Sequence, residues 1–509
     1  MWDGIATGIA TVLIPTNLVL VAVGCIAGTF IGMLPGLGPI SAIALMIPIT
    51  YGFDPASGMI LMAGVYYGAI FGGSTSSILV NAPGVAGTVA TSFDGYPMAR
   101  AGKAGKALAI AAIASFCGGT IAAVLLMVAA PLLAQVSLSF QSPDYLMLMI
   151  LGLTAVSAFA SRGNVVPALI ATVIGLMLST VGTDPSAGIQ RFTFGSLDLV
   201  DGISFLLLAM ATFALSEALM TVLKDGGRVT GPAAAAPGDI GSLKIDKAEA
   251  REMAPVIARS SVTGFFVGVL PGAGATIASF LAYGMERALA PAQEKLRFGH
   301  GSVRGLTAPE TANNAACTGS FVPLLTLGIP GSGTTAVMLG ALISYGVQPG
   351  PQLYLDNPDV FWSVIMSMYI GNVILLILNL PLIPYIARLL TLPRQLLIPL
   401  ILFFSLIGVY LVSFNVFDIY MMTAFAVAAI FLRLWGYPMA PLILGFILGG
   451  MMEDNLQRTM TLYDGSLSFL WQRPVSLGIT ILLALVILVP LLRVTRDLLR
   501  RPARPRQPK

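Results

Sequence analysis

Long runs of apolar residues dominate this chain, and short polar or glycine-rich stretches separate them. The runs do not alternate polar and apolar positions, which argues against a membrane β-barrel. The pattern predicts an all-α polytopic membrane protein with about 12 transmembrane helices plus interrupted or re-entrant segments, since a crossing needs roughly 20 residues. The main runs lie at residues 14–34, 40–51, 59–80, 107–134, 145–160, 164–181, 203–223, 254–270, 275–290, 361–380, 396–413, 416–433, 438–452 and 475–492.

A broken-helix motif occurs twice in the chain. An apolar run ends at residues 34–38, Leu-Pro-Gly-Leu-Gly, and another ends at residues 270–274, Leu-Pro-Gly-Ala-Gly. Proline lacks the backbone donor and glycine frees φ, so we expect each helix to break there. Pro83-Gly84 and Pro330-Gly331 form a second pair of breaks. Two internally repeated halves with paired breaks, which we expect to be inverted, are typical of secondary transporters.

Composition and charge placement support this architecture. Of 509 residues, 56% are hydrophobic and only 10% are charged. No lysine or arginine precedes Arg100, whereas the end of the chain is basic. The positive-inside rule therefore places the C-terminus in the cytoplasm and the N-terminus outside. The expected domains are residues 1–223 (first membrane repeat), 224–253 (cytoplasmic linker), 254–492 (second membrane repeat) and 493–509 (basic cytoplasmic tail).

The helix breaks are the candidate substrate site. The helix after a break presents unpaired N–H groups and a positive dipole end, which suits a carboxylate. The helix before a break ends in free carbonyls, which suit Na⁺. The alternative is that small residues merely allow close helix packing. The candidate substrate-binding residues are Pro35, Gly36, Gly38, Ser74, Thr75, Ser76, Asn81, Pro83, Gly84, Gly272, Gly274, Pro330, Gly331, Ser332, Gly333 and Thr334.

Residues 308–315, Ala-Pro-Glu-Thr-Ala-Asn-Asn-Ala, form a second candidate site. Asn313 and Asn314 are two amides in an otherwise apolar helix, so they and Glu310 are candidate Na⁺ ligands. The alternative is a helix start in which Thr307 is the cap and the dipole favours Glu310 in the first turn.

Enzyme classes fit the chain poorly. It has no Gly-x-x-x-x-Gly-Lys-Ser/Thr motif for ATP, and His300 is its only histidine. Its basic residues flank membrane segments without interleaved aromatics, so no nucleic-acid partner is expected. Apart from Na⁺ as the coupling ion, we expect no cofactor.

Several ordered motifs resemble the large membrane (permease) subunit of the tripartite tricarboxylate transporters, the TctA family. The resemblance spans nearly the whole chain, except the linker and the basic tail. The motifs are Gly-Met-Leu-Pro-Gly-Leu-Gly (32–38), Phe-Asp-Gly-Tyr-Pro-Met-Ala-Arg-x-Gly-Lys-Ala-Gly (93–105), Gly-Thr-Asp-Pro (182–185), Arg-Phe-Thr-Phe-Gly (191–195), Ala-Pro-Glu-x-Ala-Asn-Asn-Ala (308–315) and Gly-Ile-Pro-Gly-Ser (328–332).

The resemblance implies a bacterial inner-membrane permease with two partners, a small four-helix membrane subunit and a periplasmic solute-binding protein. It also implies uptake of citrate and other tricarboxylates, driven by an ion gradient that is usually one of Na⁺. Taken with the residues, this predicts secondary, Na⁺-driven carboxylate uptake. Two alternatives remain, an anion-selective channel and a non-transporting membrane scaffold for the binding protein.

Overall fold

The computed structural model describes residues 1–34, 37–159, 165–184, 187–224, 240–386 and 394–486. Pro35 and Gly36 from the candidate site lie outside the described residues, as do half of the predicted linker and the whole of the basic tail. The helices are α1 (Trp2–Val12), α2 (Pro15–Met33), α3 (Gly38–Thr50), α4 (Pro55–Val80), α5 (Val89–Met98), α6 (Ala104–Ser137), α7 (Ser142–Phe159), α8 (Val166–Ser179), α9 (Phe205–Ala209), α10 (Ser216–Lys224), α11 (Lys247–Val269), α12 (Gly274–Leu289), α13 (Ala292–Lys295), α14 (Val303–Gly319), α15 (Phe321–Leu327), α16 (Gly333–Ser344), α17 (Pro351–Asp356), α18 (Pro358–Asn379), α19 (Ile383–Ile386), α20 (Arg394–Ser413), α21 (Val416–Leu434), α22 (Met439–Leu462), α23 (Phe469–Gln472) and α24 (Pro474–Val486).

Other regular structure in the described residues is short. Two tight 3₁₀ turns and two wide helical turns connect some of the helices. A hairpin of two antiparallel strands, each two residues long, lies between α8 and α9. The elements are the 3₁₀ turns Ala86–Thr88 and Leu197–Leu199, the wide turns Ala99–Lys103 and Met210–Leu215, and the antiparallel strands β1 (Gly182–Thr183) and β2 (Gln190–Arg191).

The protein is an all-α polytopic membrane protein, as the apolar runs predict. Six helical stretches among the described residues are long and apolar enough to cross a membrane, and shorter apolar helices accompany them. The figure of about 12 crossings stays a prediction. The six stretches lie in Pro15–Met33, Pro55–Val80, Ala86–Ser137, Phe205–Leu223, Pro358–Asn379 and Val416–Leu434.

Local sequence explains where several helices begin. Proline is the first residue of α2, α4, α17 and α18, where its missing N–H costs nothing. The side chain of Asp54 accepts a hydrogen bond from the Ser57 amide and caps α4. Asp246 and Glu249 form a capping box at the start of α11, so this helix begins inside the predicted linker.

Helix α4 lies at the centre of the molecule. Its apolar stretch is buried along its whole length, whereas α21 is largely exposed and suited to face lipid. Helices from the two predicted halves pack on one another. Helix α6 packs on α14, α8 packs on α22, and α18 packs on both α1 and α4. The predicted halves therefore interlock rather than forming separate bodies.

Glycines allow α2 and α4 to touch along their backbones. A Cβ atom added at Gly28 would lie 2.3 Å from the carbonyl oxygen of Val65. One added at Gly32, a turn later, would lie 2.1 Å from the carbonyl oxygen of Ala69. No side chain fits at such distances, so only glycine permits this crossing.

Helices α11 and α14 touch in the same manner. An added Cβ at Gly264 would lie 2.4 Å from the carbonyl oxygen of Ala312, and one at Gly268 would lie 2.2 Å from that of Ala316. Gly32 and Gly268 both lie just before their Leu-Pro-Gly breaks. The helix that enters each break is therefore held against a neighbour by the same small-residue contact.

Two boundaries differ from the sequence expectations. Residues 93–103 lie between the apolar runs 59–80 and 107–134, which predicts a loop there, but helix α5 continues to Met98 and a wide turn follows. Helix α22 extends ten residues beyond the expected apolar run, to Leu462. Both extensions are polar helical segments, and apolar runs cannot reveal those.

Candidate functional site

The two breaks of the second half are joined by a hydrogen bond. After α11 ends, the amide of Gly272 donates to the carbonyl oxygen of Gly331 over 2.9 Å. Gly272 has a φ of 81°, and an added Cβ would lie 2.7 Å from the Cα atom of Val156 in α7. A larger residue therefore fits neither the backbone nor the space.

The start of α16 is a second polar element of this region. Ser332 and Thr335 form a capping box, in which the Thr335 amide donates to the Ser332 hydroxyl over 3.2 Å. The hydroxyl of Tyr66, from α4, lies 3.5 Å from the Ser332 Oγ atom. Gly274, which begins α12, lies close to Ser332. The N-termini of α12 and α16 therefore lie close together, beside the hydroxyl groups of Ser332 and Tyr66.

The second break of the first half packs on the end of α2. The amide of Gly84 donates to the hydroxyl of Ser76 over 3.1 Å, which ties the break to the last turns of α4. A Cβ added at Gly84 would lie 1.8 Å from the carbonyl oxygen of Gly32. Asn81 ends α4 in the left-handed conformation, with a φ of 52°, and is exposed.

Contacts between the two predicted halves bring these breaks together in a reciprocal manner. A Cβ added at Gly87, just after the first-half break, would lie 3.1 Å from the side chain of Ala275 in α12. One added at Gly333 would lie 3.0 Å from the side chain of Ile40 in α3. The segment after the Pro83-Gly84 break therefore packs on α12, which follows the Pro271 break. Likewise, the segment after the Pro330-Gly331 break packs on α3, which follows the Pro35 break.

Glu310 is fully buried, and its carboxylate is surrounded by hydroxyl groups. Its Oε2 atom accepts hydrogen bonds from Ser74 on α4 over 2.7 Å and from Ser115 on α6 over 2.9 Å. Its Oε1 atom accepts one from Thr91 on α5. Among the described residues, no lysine or arginine forms an ion pair with it. This carboxyl group of the predicted second half is therefore held by hydroxyl groups of the predicted first half.

The two asparagines next to Glu310 are also buried. Asn314 donates from its Nδ2 atom to the carbonyl oxygen of Glu310 over 3.0 Å and to the Asn313 Oδ1 atom over 2.7 Å. Asn313 donates to the carbonyl oxygen of Gly87 over 3.4 Å. Through this bond, the Glu310 region is linked to the break that contains Pro83 and Gly84.

The helix-cap interpretation of Glu310 is wrong. Helix α14 begins at Val303, where the Ser302 hydroxyl accepts from the Gly305 amide over 3.1 Å. Thr307 is an interior residue, and Pro309 lies within the helix rather than in its first turn. The start of α14 at Val303 was not predicted from the sequence, because residues 302–307 carry no apolar periodicity.

Two buried carboxylates hold the start of α14 in place. The Asp94 Oδ1 atom accepts from the amides of Gly299 over 2.9 Å, Gly301 over 2.9 Å and Ser302 over 2.7 Å. Nearby, Glu286 binds Arg259 over 2.7 Å and Arg304 over 3.0 Å, and its side chain is fully buried. These groups act as anchors for the helix that carries Glu310.

The remaining candidate residues occupy less polar surroundings. Gly38 begins α3 with a φ of 63°. The hydroxyl of Thr75 lies against the carbonyl oxygen of Phe71 at 3.5 Å. Pro83 is partly buried, whereas Pro330 and Thr334 are buried in the second-half break. Thr91, Ser115 and Tyr66 were not predicted from the sequence, because no local pattern distinguishes them from neighbouring residues such as Ser92 and Tyr67.

The described residues contain no group of three or more His, Cys, Asp and Glu side chains that could hold a metal ion. The candidate cation ligands are therefore one carboxylate and neutral oxygens. Such a set suits a hard monovalent ion better than a transition metal.

A polar hairpin lies between α8 and α9. Arg191 binds both oxygens of Glu453 in α22, over 2.6 and 3.1 Å, and this hydrogen bonding raises the pKa of the Arg191 guanidinium. Phe192 and Phe194 follow with φ values of 55° and 51°, and the Phe194 side chain is 90% exposed. Nonglycine residues rarely adopt this conformation, so the backbone is strained where two aromatic side chains face outward.

Apolar helices, paired helix breaks and a buried oxygen cluster together define a multi-pass membrane protein of the transporter class. The chain belongs to the tripartite tricarboxylate transporter TctA family, whose model matches residues 18–444. This is a family of transporters rather than of enzymes, and the tripartite system implies partner subunits that include a binding protein.

Two similar proteins come from Agrobacterium vitis, and neither is characterised. One is a 52.8 kDa protein from the TAR-I ttuC′ 3′ region, 41% identical over 498 residues, which cover 97% of this chain and 98% of that protein. The other, from the TAR-II ttuC′ 3′ region, is 41% identical over 237 residues, which cover 46% of this chain and 97% of that protein. No solved structure matches the chain.

Proposed function

We propose that this protein is the permease subunit of a binding-protein-dependent transporter that imports tricarboxylates or related carboxylates by secondary transport. The observation that carries the proposal is the convergence of the breaks. The Gly272 amide binds the Gly331 carbonyl, and Gly333 reaches the helix that follows the first break of the other half. Broken helices that meet across two halves are where secondary transporters bind their substrates.

The carboxylate is held by helix N-termini in this proposal. The first turns of α12 and α16 present backbone N–H groups and positive dipole ends, which favour an anion without a lysine or arginine. Ser332, Thr335 and Tyr66 add hydroxyl donors at the same place. The residues proposed to line the substrate path are the candidate set named from the sequence, with Tyr66 and Thr335 added.

Uptake is driven by Na⁺ in this proposal. At an inside-negative potential of 100 mV, each negative charge that enters costs about 2.3 kcal/mol, so a trianion needs compensating cations. Glu310, Asn313 and Asn314 are the candidate cation ligands, because they are buried and linked to the break through Gly87. A free anion channel would instead let the substrate leave the cell.

The recurring glycine contacts support two related halves. The pairs Gly28–Val65 and Gly32–Ala69 lie at the same distances from their breaks as Gly264–Ala312 and Gly268–Ala316. The reciprocal contacts between the halves fit a two-fold relation, so we propose inverted repeats. The basic tail and linker then face the cytoplasm of a bacterial cell, with the chain in the inner membrane.

The partners proposed are a small four-helix membrane subunit and a periplasmic solute-binding protein. Helix α10 ends at Lys224, next to the basic linker, so the hairpin before α9 lies on the opposite, outer side of this apolar stretch. Its exposed Phe192 and Phe194 are the surface we assign to the binding protein, because Arg191 and Glu453 hold it rigidly. Phe194→Ser should weaken binding-protein-dependent uptake without changing the unfolding temperature.

Uptake into proteoliposomes tests the proposal. Permease, small subunit and binding protein are reconstituted together, and accumulation of labelled citrate is measured with an inward Na⁺ gradient. A panel of other carboxylates, screened by thermal shift of the binding protein, replaces citrate where citrate does not bind. Concentrative, Na⁺-dependent accumulation is the expected result. Equilibration without accumulation identifies a channel, and an absence of movement with intact binding-protein association identifies a scaffold.

A further inference from the structure

A small cavity lies between α4, α6 and α18, and two of the serines that donate to Glu310 are part of its lining. Its volume is about 10 Å³, and its polar lining consists of Ser74, Thr75, Ser115 and Asn379. The rest of the lining is apolar. A cavity of this size holds one water-sized species. The space therefore suits a single ion without its hydration shell.

Asn379 provides an oxygen atom that lacks a partner. Its Nδ2 atom donates to the carbonyl oxygen of Leu375 over 3.0 Å, which fixes the orientation of the amide. Its Oδ1 atom is buried and accepts no hydrogen bond from any residue that the structure describes. Leaving a buried acceptor unpaired is costly, so this oxygen is available to a ligand in the cavity that Asn379 lines.

Ser74 and Ser115 connect the cavity to the charge of Glu310. Both hydroxyl groups donate to the Glu310 Oε2 atom, over 2.7 and 2.9 Å. A hydroxyl that donates its only proton keeps two lone pairs. Because both serines also line the cavity, those lone pairs are available to a cation there. The carboxylate then stabilises the cation through the two hydroxyls.

We propose that this cavity binds one Na⁺ ion, with Ser74, Ser115 and Asn379 as its ligands, Thr75 beside them and Glu310 as its counter-charge. Mg²⁺ keeps its water shell and needs more space and charge than this cavity offers. The assignment rests on the proposed function and deepens it, since it places the coupling ion on the side of Glu310 that faces Ser74 and Ser115. In this assignment Asn313 and Asn314 link Glu310 to the Gly87 carbonyl rather than binding the ion directly. Neither Ser115 nor Asn379 was expected from the sequence.

The cavity is connected to the proposed substrate site by two hydrogen-bonded routes. On α4, Ser76 lies two residues after Ser74 and accepts from the Gly84 amide. On α14, Asn313 lies one turn after Glu310 and donates to the Gly87 carbonyl. Na⁺ binding therefore orders both sides of the segment that follows Pro83. This provides a physical route by which the ion and the carboxylate favour each other's binding.

Sodium binding to the purified permease tests the site without any transport. The unfolding temperature is measured in NaCl and in equimolar choline chloride at constant pH and ionic strength, and ²²Na⁺ binding is measured in parallel. A ligand that binds only the folded state raises the unfolding temperature with its concentration. We expect this rise in the native protein. We also expect Ser115→Ala and Asn379→Leu to weaken Na⁺ binding about tenfold, and Glu310→Gln to abolish it, because hydrogen bonds and contacts to charged groups are strong.

Ser137→Ala is the matched control. Ser137 is a buried serine on the same helix as Ser115, but it bonds the carbonyl oxygen of Thr326 instead. Unchanged Na⁺ affinity in Ser115→Ala, Asn379→Leu and Glu310→Gln would overturn the site, even if uptake proves Na⁺-dependent. Conversely, Na⁺ binding that Ser115→Ala and Asn379→Leu weaken and Glu310→Gln abolishes would support the site even if no carboxylate is transported. A protein indifferent to Na⁺, whose stability follows pH only when Glu310 is present, would identify a proton site and overturn the proposal.

Discussion

The amide of Gly272 and the carbonyl of Gly331 share a hydrogen bond of 2.9 Å, although each belongs to a different helix break. Broken helices leave unpaired backbone groups, and at membrane depth those groups need partners. This bond satisfies one group from each break and fixes the breaks relative to each other. The region is therefore a defined structure rather than two independent interruptions.

Gly272→Ala should disrupt this junction. A nonglycine residue at a φ of 81° is strained, and its Cβ would lie 2.7 Å from the Val156 backbone. We expect a loss of at least about 2 kcal/mol in stability, because backbone strain of this kind costs about 1–3 kcal/mol before any clash. The unfolding temperature of the purified protein measures the loss, and uptake should fall with it.

Gly284→Ala is the control for that substitution. Gly284 lies within α12, and an added Cβ would contact nothing within 4 Å. Alanine favours a helix over glycine, so its unfolding temperature should stay equal or rise slightly. Equal stability for both variants would mean that the junction tolerates side chains and is looser than its geometry indicates.

Ser332→Asp should abolish carboxylate uptake while the protein remains folded. Aspartate caps a helix as well as serine does, so α16 keeps its start. Its negative charge would, however, occupy the place where the proposed substrate carboxylate binds. We expect at least about a hundredfold loss of uptake, since repulsion of 2.8 kcal/mol or more corresponds to that factor.

Ser332→Asn provides the neutral comparison, since asparagine is an equally good cap without the charge. It should retain most of the uptake rate. If Ser332→Asp transports as well as Ser332→Asn, the carboxylate does not bind at the start of α16. Binding of the solute-binding protein, measured separately, should be the same in both variants.

Asp94→Ala should loosen the loop that precedes α14. Asp94 accepts three backbone amides from this loop, and their loss leaves buried donors unpaired. We expect a loss of roughly 3 kcal/mol in the free energy of unfolding. Hydrogen bonds to charged groups are worth about 1.5–3 kcal/mol each, and water that hydrates the freed amides offsets part of the loss. Limited trypsin digestion should then cleave faster at the exposed Arg297.

Asp94→Asn should give an intermediate result, since the amide oxygen still accepts hydrogen bonds. Asp356→Ala, which removes an exposed carboxylate at the end of α17, serves as the control and should leave the cleavage rate unchanged. Equal cleavage of Asp94→Ala and the native protein would show that the loop is held by other contacts.

The apolar pattern predicted most of the helices, because burial in lipid and in the core both demand apolar side chains. The span at residues 14–34 corresponds to Pro15–Met33, and the run at residues 361–380 corresponds to Pro358–Asn379. The breaks at Pro271 and Pro330 were also predicted, since proline and glycine act locally. The polar start of α14 was missed, because no apolar period marks it.

The partners of Glu310 could not be predicted in the same way. Thr91 and Ser115 lie on two helices far away in the chain, and single hydroxyl residues in apolar helices usually bond their own backbone. Only the packing of α6 on α14 brings Ser115 to the carboxylate. Asn379 is similar, because α18 carries other buried polar residues, such as Asn372, and nothing in its sequence singles out Asn379. Tertiary contacts, not local pattern, create this cluster.

Asn81 allows backbone and side-chain roles at a break to be separated. It ends α4 at a φ of 52°, a conformation that asparagine tolerates and glycine prefers, and Gly328 ends α15 in the same conformation at 67°. Asn81→Gly should therefore keep the break, the stability and most of the uptake. Asn81→Ala should lose about 1 kcal/mol, since the left-handed region costs an ordinary residue about 1–2 kcal/mol, and uptake should fall while the protein still inserts. The unfolding temperature and citrate accumulation, measured on both variants, distinguish a backbone role of Asn81 from a side-chain role. If both variants remain stable but lose uptake equally, the Asn81 amide itself contacts the substrate.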